Sequence, residues 1–303
     1  MTAPSAYLAL PVQTRAVLLM TMSALSYALT FVCVRELSAI FTVYQLVMFR
    51  AAIGTAVMLP WLIRRGLGVL CTTQWKRYAL RTLTVYTGNL CWFYALAKMA
   101  LADATALSFL MPLFAVLILA CWMREKLSRS RLTAFFLGLA GAAVIIRPGF
   151  VELGPGTICM LYATVAYGAA TAITRVLTQE DDPNVVVFYL FALNLPLAIG
   201  PGVYHWTSPT LTHWVLIASF AVLSLYSQIF MTRSLALAEA VVVMPTFYLQ
   251  LPIAAILGFF LFGQIPSIWL LPGAILIIGG SYFSLWSEAR RRGPDENLGE
   301  GVS

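Results

Sequence analysis

The sequence predicts an all-α membrane protein, with ten transmembrane helices arranged as two inverted five-helix repeats. Three observations lead there. Of 303 residues, 61% are hydrophobic and 10% charged, and the mean hydropathy is +0.86, whereas a soluble domain carries roughly 25% charged residues. The uncharged stretches between the few charges match one or two bilayer crossings of about 20 residues each. The two halves of the chain also resemble each other at an offset of about 140 residues. This composition excludes an ordinary soluble enzyme, a nucleic-acid-binding domain and a disordered chain. It leaves the lipid bilayer as an expected partner; a small-molecule substrate is expected from the inverted repeat and the polar aromatic lining.

The charges locate the spans. Arg15 to Arg35, Asp103 to Arg124 and Glu152 to Arg175 each bracket one crossing. The long gaps Asp182–Arg233 and Glu239–Glu288 each hold two, divided at Pro201–His213 and at Gly263–Ser267. Arg81–Lys98 and Arg131–Arg147 are shorter, but their flanking basic side chains can snorkel to the interface. The expected helices are 14–35, 42–63, 76–97, 102–123, 131–148, 155–177, 184–204, 211–234, 238–262 and 267–287. They fall into an N-terminal segment 1–13, a first repeat 14–148, a second repeat 155–287 and a flexible tail 288–303. The start of the chain lacks the basic residues and small-residue end of a cleaved signal peptide.

Orientation follows from Lys and Arg. Fifteen of them lie in the N-terminus, the even-numbered loops and the tail. Three (Arg35, Lys98, Arg147) lie in the odd-numbered loops. By the positive-inside rule both termini are cytoplasmic. Five anchors carry the repeat: Tyr27 with Tyr167, Arg35 with Arg175 and Pro112 with Pro252 are 140 apart, while Glu125 with Gln264 and Gly141 with Gly280 are 139 apart. Five spans per repeat turn the second repeat upside-down, the arrangement that underlies alternating access.

Among candidate functional residues, Arg50 stands out. It lies about 12 Å along its helix from Thr42 at 1.5 Å per residue, where a charge is expensive and marks a site. It would bind a substrate carboxylate or phosphate, or tie helix ends together through backbone carbonyls. Tyr86, Asn89 and Phe93 form one face of the third helix. Tyr27, Tyr167, Tyr226, Gln228, Tyr248 and Gln250 complete an expected lining of aromatic and amide groups suited to a small amphipathic ligand. Pro112, Pro245 and Pro252 are expected to kink the fourth and ninth helices, either as gating hinges or as static bends. Trp61, Trp75, Trp122, Trp206, Trp214, Trp269 and Trp286 read as interfacial belt residues. The cysteines (Cys33, Cys71, Cys91, Cys121, Cys159) read as buried free thiols, with no metal site and no cofactor expected. No phosphate-binding loop, H-E-x-x-H or mid-membrane acid pair occurs, which argues against an ATPase or an intramembrane protease.

The chain further resembles the EamA-type members of the drug/metabolite transporter superfamily. The resemblance rests on Phe93-Tyr94-Ala95-Leu96, Ala102-Asp103-Ala104, Met111-Pro112-Leu113, Arg124-Glu125-Lys126-Leu127 and Gly138-Leu139-Ala140-Gly141. In the second half it rests on Val243-Met244-Pro245-Thr246-Phe247-Tyr248, Phe262-Gly263-Gln264-Ile265-Pro266, Gly273 and Gly279-Gly280. It implies a carrier of amino acids or related metabolites in a bacterial inner membrane, with the YddG-type aromatic-amino-acid exporters one candidate branch. Arg147-Pro148-Gly149 and the Pro245-x-x-Tyr248 motif are similar to a branch that carries S-adenosylmethionine or riboflavin. Two positions depart from the family. Gln264 replaces a usual Glu, expected to loosen a helix-cap or lipid-interface contact, and Ser26-Tyr27 replaces a frequent Trp-Gly, expected to alter the cavity. Facilitated diffusion or exchange is favoured over proton coupling, since Asp103 and Glu239 both lie near helix ends. Export, uniport or exchange, and a monomer or a homodimer, stay open.

Overall fold

The computed structural model describes residues 11–123, 129–147, 154–178, 180–237, 243 and 246–292. Its helices are α1 (Val12–Leu37), α2 (Val43–Arg65), α3 (Trp75–Lys98), α4a (Leu101–Ser108), α4b (Met111–Met123) and α5 (Arg129–Ile146). They continue with α6 (Pro155–Leu177), α7a (Pro183–Ala192), α7b (Asn194–Tyr204), α8 (Leu211–Leu237), α9 (Gln250–Phe262) and α10 (Leu270–Arg292). No strand occurs among the described residues. Five segments are long and apolar enough to cross a bilayer: Val12–Leu37, Val43–Arg65, Pro155–Thr174, Pro183–Tyr204 and Leu211–Ser234. The rest of the expected ten include shorter apolar helices and α3, which is more polar.

The termini of these helices have local causes. Thr42 caps α2 through its hydroxyl, which accepts from Gln45 N, and α2 stops at Gly66, where φ is 83°. Asp182 caps α7a by accepting from Asn184 N at 2.7 Å, with Pro183 in the first turn. Inside the helices, the hydroxyls of Thr21, Ser26, Thr30 and Thr164 donate to the carbonyl four residues earlier. Such back-bonding satisfies a hydroxyl where no water reaches.

Several boundaries differ from expectation. The fourth helix is broken at the Phe109–Leu110 turn and the ninth at Tyr248–Leu249. Pro112 and Pro252 therefore sit in the first turn of a new helix segment, α4b and α9, instead of kinking a continuous one. In a first turn the missing N–H has little to donate to. Pro245 lies outside the described residues, as do Glu125, Pro148 and Gly149. Residues 288–292 were expected in the flexible tail and are the last turn of α10, because nothing in Glu288-Ala289-Arg290 disfavours helix. Cys71 and Cys121 are exposed, Cys91 and Cys159 half-buried and Cys33 alone is buried. Cys71 follows a short loop helix at Leu67–Leu70, which explains its exposure.

The two halves interleave. α1 packs along α8, α3 along α6, and α5 along α10. One bundle contains α1, α2, α7a, α7b, α8 and α9. The other contains α3, α4a, α4b and α6, and the two meet where α4a crosses α9 and where α3 crosses α1, α2 and α7b. Close crossings need glycine. A Cβ on Gly141 would lie 2.5 Å from the Gly273 carbonyl, and one on Gly54 would lie 2.3 Å from the Phe191 ring. The lower end of the molecule carries the 66–74 connection and residues 180–182. The upper end carries 38–42, 205–210 and 263–269. At the upper end Gln264 Oε1 accepts from Leu101 N at 2.9 Å, so this side chain does make a helix-cap contact, with an amide oxygen accepting from a backbone N–H as a carboxylate would.

Candidate functional site

Arg50 is buried at the junction of the two bundles. Its Nε donates to Ser224 Oγ of α8 at 2.6 Å and its Nη1 to Asn89 Oδ1 of α3 at 3.0 Å. The guanidinium carbon stands 5.2 Å from the centre of the Phe191 ring, a cation–π contact that Gly54 permits by leaving room for the ring. Asn89 Oδ1 also accepts from Tyr167 OH at 2.6 Å. On the other side Ser227 Oγ donates to Ser224 O and Ser23 Oγ to Ser227 O, while Gln228 Nε2 donates to Tyr27 OH at 2.7 Å. Hydrogen bonds thus link α1, α8, α2, α3 and α6 at mid-depth.

The electrostatics are unbalanced. Among the described residues the one ion pair is Arg77–Glu180, 3.6 Å, at the lower end. Arg50 has only dipoles and a π face around it, although a buried cation is normally paired. Asn89 Nδ2 is also buried and has no partner, a donor left over beside a cation. An arc of rings adjoins the pair: Tyr167–Trp92 at 5.3 Å, Trp92–Phe31 at 5.6 Å, Phe31–Tyr27 at 6.2 Å and Tyr27–Phe247 at 5.8 Å between centroids. The arrangement suits a molecule with an acceptor or negative group at one end and a flat apolar body.

Of the expected lining, the structure brings together Tyr27, Arg50, Asn89, Tyr167 and Gln228. Phe93 is buried but packs against Phe220 at 5.6 Å, outside the polar cluster. Tyr86 is half-buried and packs against the main apolar core, outside the polar cluster. Tyr226 is 38% exposed and its ring lies beside Phe230; two helical residues from Gln228, it points about 200° away from it. Tyr248 packs on Phe109 at 4.8 Å, so the breaks in the fourth and ninth helices touch there. Gln250 is buried with Oε1 unpartnered and makes no bond to Arg50. No group of three His, Cys, Asp or Glu that could hold a metal occurs among the described residues.

Three site features escaped the sequence reading. Ser224 and Phe191 carry no local signal, being an ordinary hydroxyl and an ordinary apolar residue. Arg81, expected among the interfacial charges, is only 7% exposed. Its Nε donates to Thr174 Oγ1 and its Nη1 to the Val186 carbonyl, binding α3 to α6 and α7a. Its position six residues inside α3 was the available signal.

A helical membrane protein whose similar halves interleave around a buried cation, with polar groups converging at mid-depth, has the layout of a small-molecule transporter. The chain belongs to the EamA-like transporter family, whose model matches twice, over residues 14–147 and 154–286. It is 30% identical over 237 residues to a riboflavin transporter of Brucella anthropi, covering 76% of this chain and 84% of that one. It is 30% identical over 266 residues to the pseudopaline exporter CntI of Pseudomonas aeruginosa, covering 86% and 93%. It is 23% identical over 247 residues to an S-adenosylmethionine uptake transporter of Rickettsia bellii, covering 82% and 85%. These relatives carry chemically distinct molecules, and their names include both uptake and export.

Proposed function

We propose that the protein carries amino acids or related small metabolites across a bacterial inner membrane by alternating access, as an exporter, uniporter or exchanger. Ten spans form two inverted five-helix repeats, 14–148 and 155–287, with both termini cytoplasmic. The carrying observation is Arg50, a buried guanidinium without a carboxylate that joins the two bundles through Asn89. A substrate carboxylate would accept hydrogen bonds from the Arg50 guanidinium and from Asn89 Nδ2. In doing so it would compete with the Arg50–Asn89 bond, one of the contacts between the bundles, and so couple binding to their rearrangement. The ring arc would receive an apolar or aromatic body. Among the described residues no Asp or Glu hydrogen-bonds to the Arg50 cluster, which favours facilitated diffusion or exchange over proton coupling.

A second reading is an uptake carrier for S-adenosylmethionine or riboflavin, supported by the two relatives so named. Both readings are tested with the purified full-length protein in liposomes, by measuring saturable uptake and trans-stimulation for amino acids, S-adenosylmethionine and riboflavin. Saturable counterflow of one class assigns it. Folded protein that moves none of them in either direction refutes both readings.

A further inference from the structure

At the upper end a cavity of about 850 Å³ opens between α1, the turn that follows it, α3 and α9. Arg35, Thr42, Tyr94, Lys98 and Phe262 contribute to its wall, with Glu36 the one acid there. Arg35 is fixed in place. Its Nη1 donates to the carbonyls of Leu96 and Met99, oxygens that the end of α3 leaves open. Its guanidinium carbon lies 5.5 Å from the centre of the Phe262 ring. Nε and Nη2 have no hydrogen bond, and Lys98 has no ion pair, among the described residues. The wall therefore presents two cations against one anion, beside an aromatic ring and hydroxyls. Val43, also on the wall, starts α2, and Arg50 lies seven residues on, about 10 Å along the helix.

We propose that this cavity is an outer binding site for a molecule bearing a carboxylate or phosphate on an apolar body. The anion sits between Arg35 and Lys98 and the apolar part against Phe262 and Tyr94. It rests on the transport reading only in that Val43 of its wall begins the helix that carries Arg50, which makes the cavity a first station before it. Preorganisation decides the role: a guanidinium already held by two carbonyls loses little freedom when an anion arrives.

The test places a cysteine at Ala39 on the cavity wall, in full-length protein whose five native cysteines are replaced and whose melting temperature is unchanged. In nanodiscs of phosphatidylcholine, labelling rates are compared for an anionic sulfonatoethyl and a cationic trimethylammonioethyl methanethiosulfonate. A cysteine at Ser208, in another upper loop, gives the reference ratio. The anionic preference at position 39 should exceed the reference and fall about tenfold in Arg35→Gln with Lys98→Gln, as expected for loss of a focused field. Arg35→Lys, which keeps the charge, should restore it, and Lys98→Gln alone tests the field without touching the end of α3. Benzoate or phenyl phosphate should slow labelling. Protection in phosphatidylcholine discs identifies a soluble anion, whereas protection only after adding phosphatidylglycerol identifies a lipid phosphate as the source. A ratio that ignores both charge removals, or an absence of protection by any of these anions, overturns the site. Labelling needs no transport, so a transport-inactive protein with the expected ratio would refute the carrier reading and leave this site standing.

Discussion

The two ends of the molecule use the same geometry with different chemistry. At the lower end Tyr189 of α7a meets Trp75 of α3 edge-on, 5.3 Å between centroids at 71°. At the upper end Phe49 of α2 meets Trp214 of α8 at 5.6 Å and 62°. Positions 49 and 189 are 140 apart and 75 and 214 are 139 apart, the spacing of the sequence repeat. Around the lower pair the contacts are polar. Tyr189 OH donates to Leu70 O, Asp181 Oδ2 accepts from Thr72 Oγ1 and Tyr78 OH at 2.9 Å each, and Arg81 binds Thr174 and Val186. Around the upper pair they are aromatic: Phe41, 140 residues before Asp181, packs edge-on against His213, and Trp206 also meets Phe49. The upper end is also where the large cavity opens. Charge-assisted hydrogen bonds are stronger and more directional than ring edges. The repeat therefore preserves a contact geometry while letting each end be sealed at a different strength.

Arg50 lies between the two ends, reaching from α2 to Ser224 of α8 and Asn89 of α3. Arg50→Gln should reduce transport of a carboxylate substrate by at least about tenfold through a higher KM, the equivalent of roughly 1.5–3 kcal/mol for a hydrogen bond to a charged group. Liposome uptake kinetics decide it, and an unchanged KM in folded protein would make Arg50 a brace. Next in size, Asp181→Asn should cost about 2 kcal/mol of stability, read as a lower melting temperature in detergent. Phe41→Leu at the matching upper position should cost less than about 1.5 kcal/mol. Equal losses would break the contrast between the ends. Tyr189→Phe removes one lower hydrogen bond while keeping the ring, and should cost about 1 kcal/mol. The smallest effect is expected for Gln264→Glu, within about 0.5 kcal/mol, because either side chain caps Leu101 N; a larger shift in melting temperature would show that the amide has another role.

Much of the fold was legible. The sixth helix was bounded at 155–177 and is Pro155–Leu177, because Gly154-Pro155 and the following charges mark its ends locally. The fourth and ninth helices were read as continuous, since hydropathy does not register a two-residue break that keeps apolar side chains on both sides. The lining was half legible for a related reason. Helical spacing put Asn89 on an inward face, and it is buried; the repeat offset from Tyr86 led to Tyr226 and Gln228 together, but Tyr226 is 38% exposed, which depends on how far α8 is rotated about its axis.

The sequence by itself determined the class of protein, the placement of most helices, the repeat offset and the position of Arg50 inside its helix. These depend on hydrophobic runs, charge spacing and end signals, which act over a turn or two of chain. Only the tertiary structure decided that Arg50 meets Ser224, 174 residues away, that Arg81 is buried, and that α1 packs along α8 and α3 along α6. Those contacts depend on the rotation and crossing of helices against partners distant in sequence, set by small surfaces such as Gly54 and Gly141 that no local pattern records.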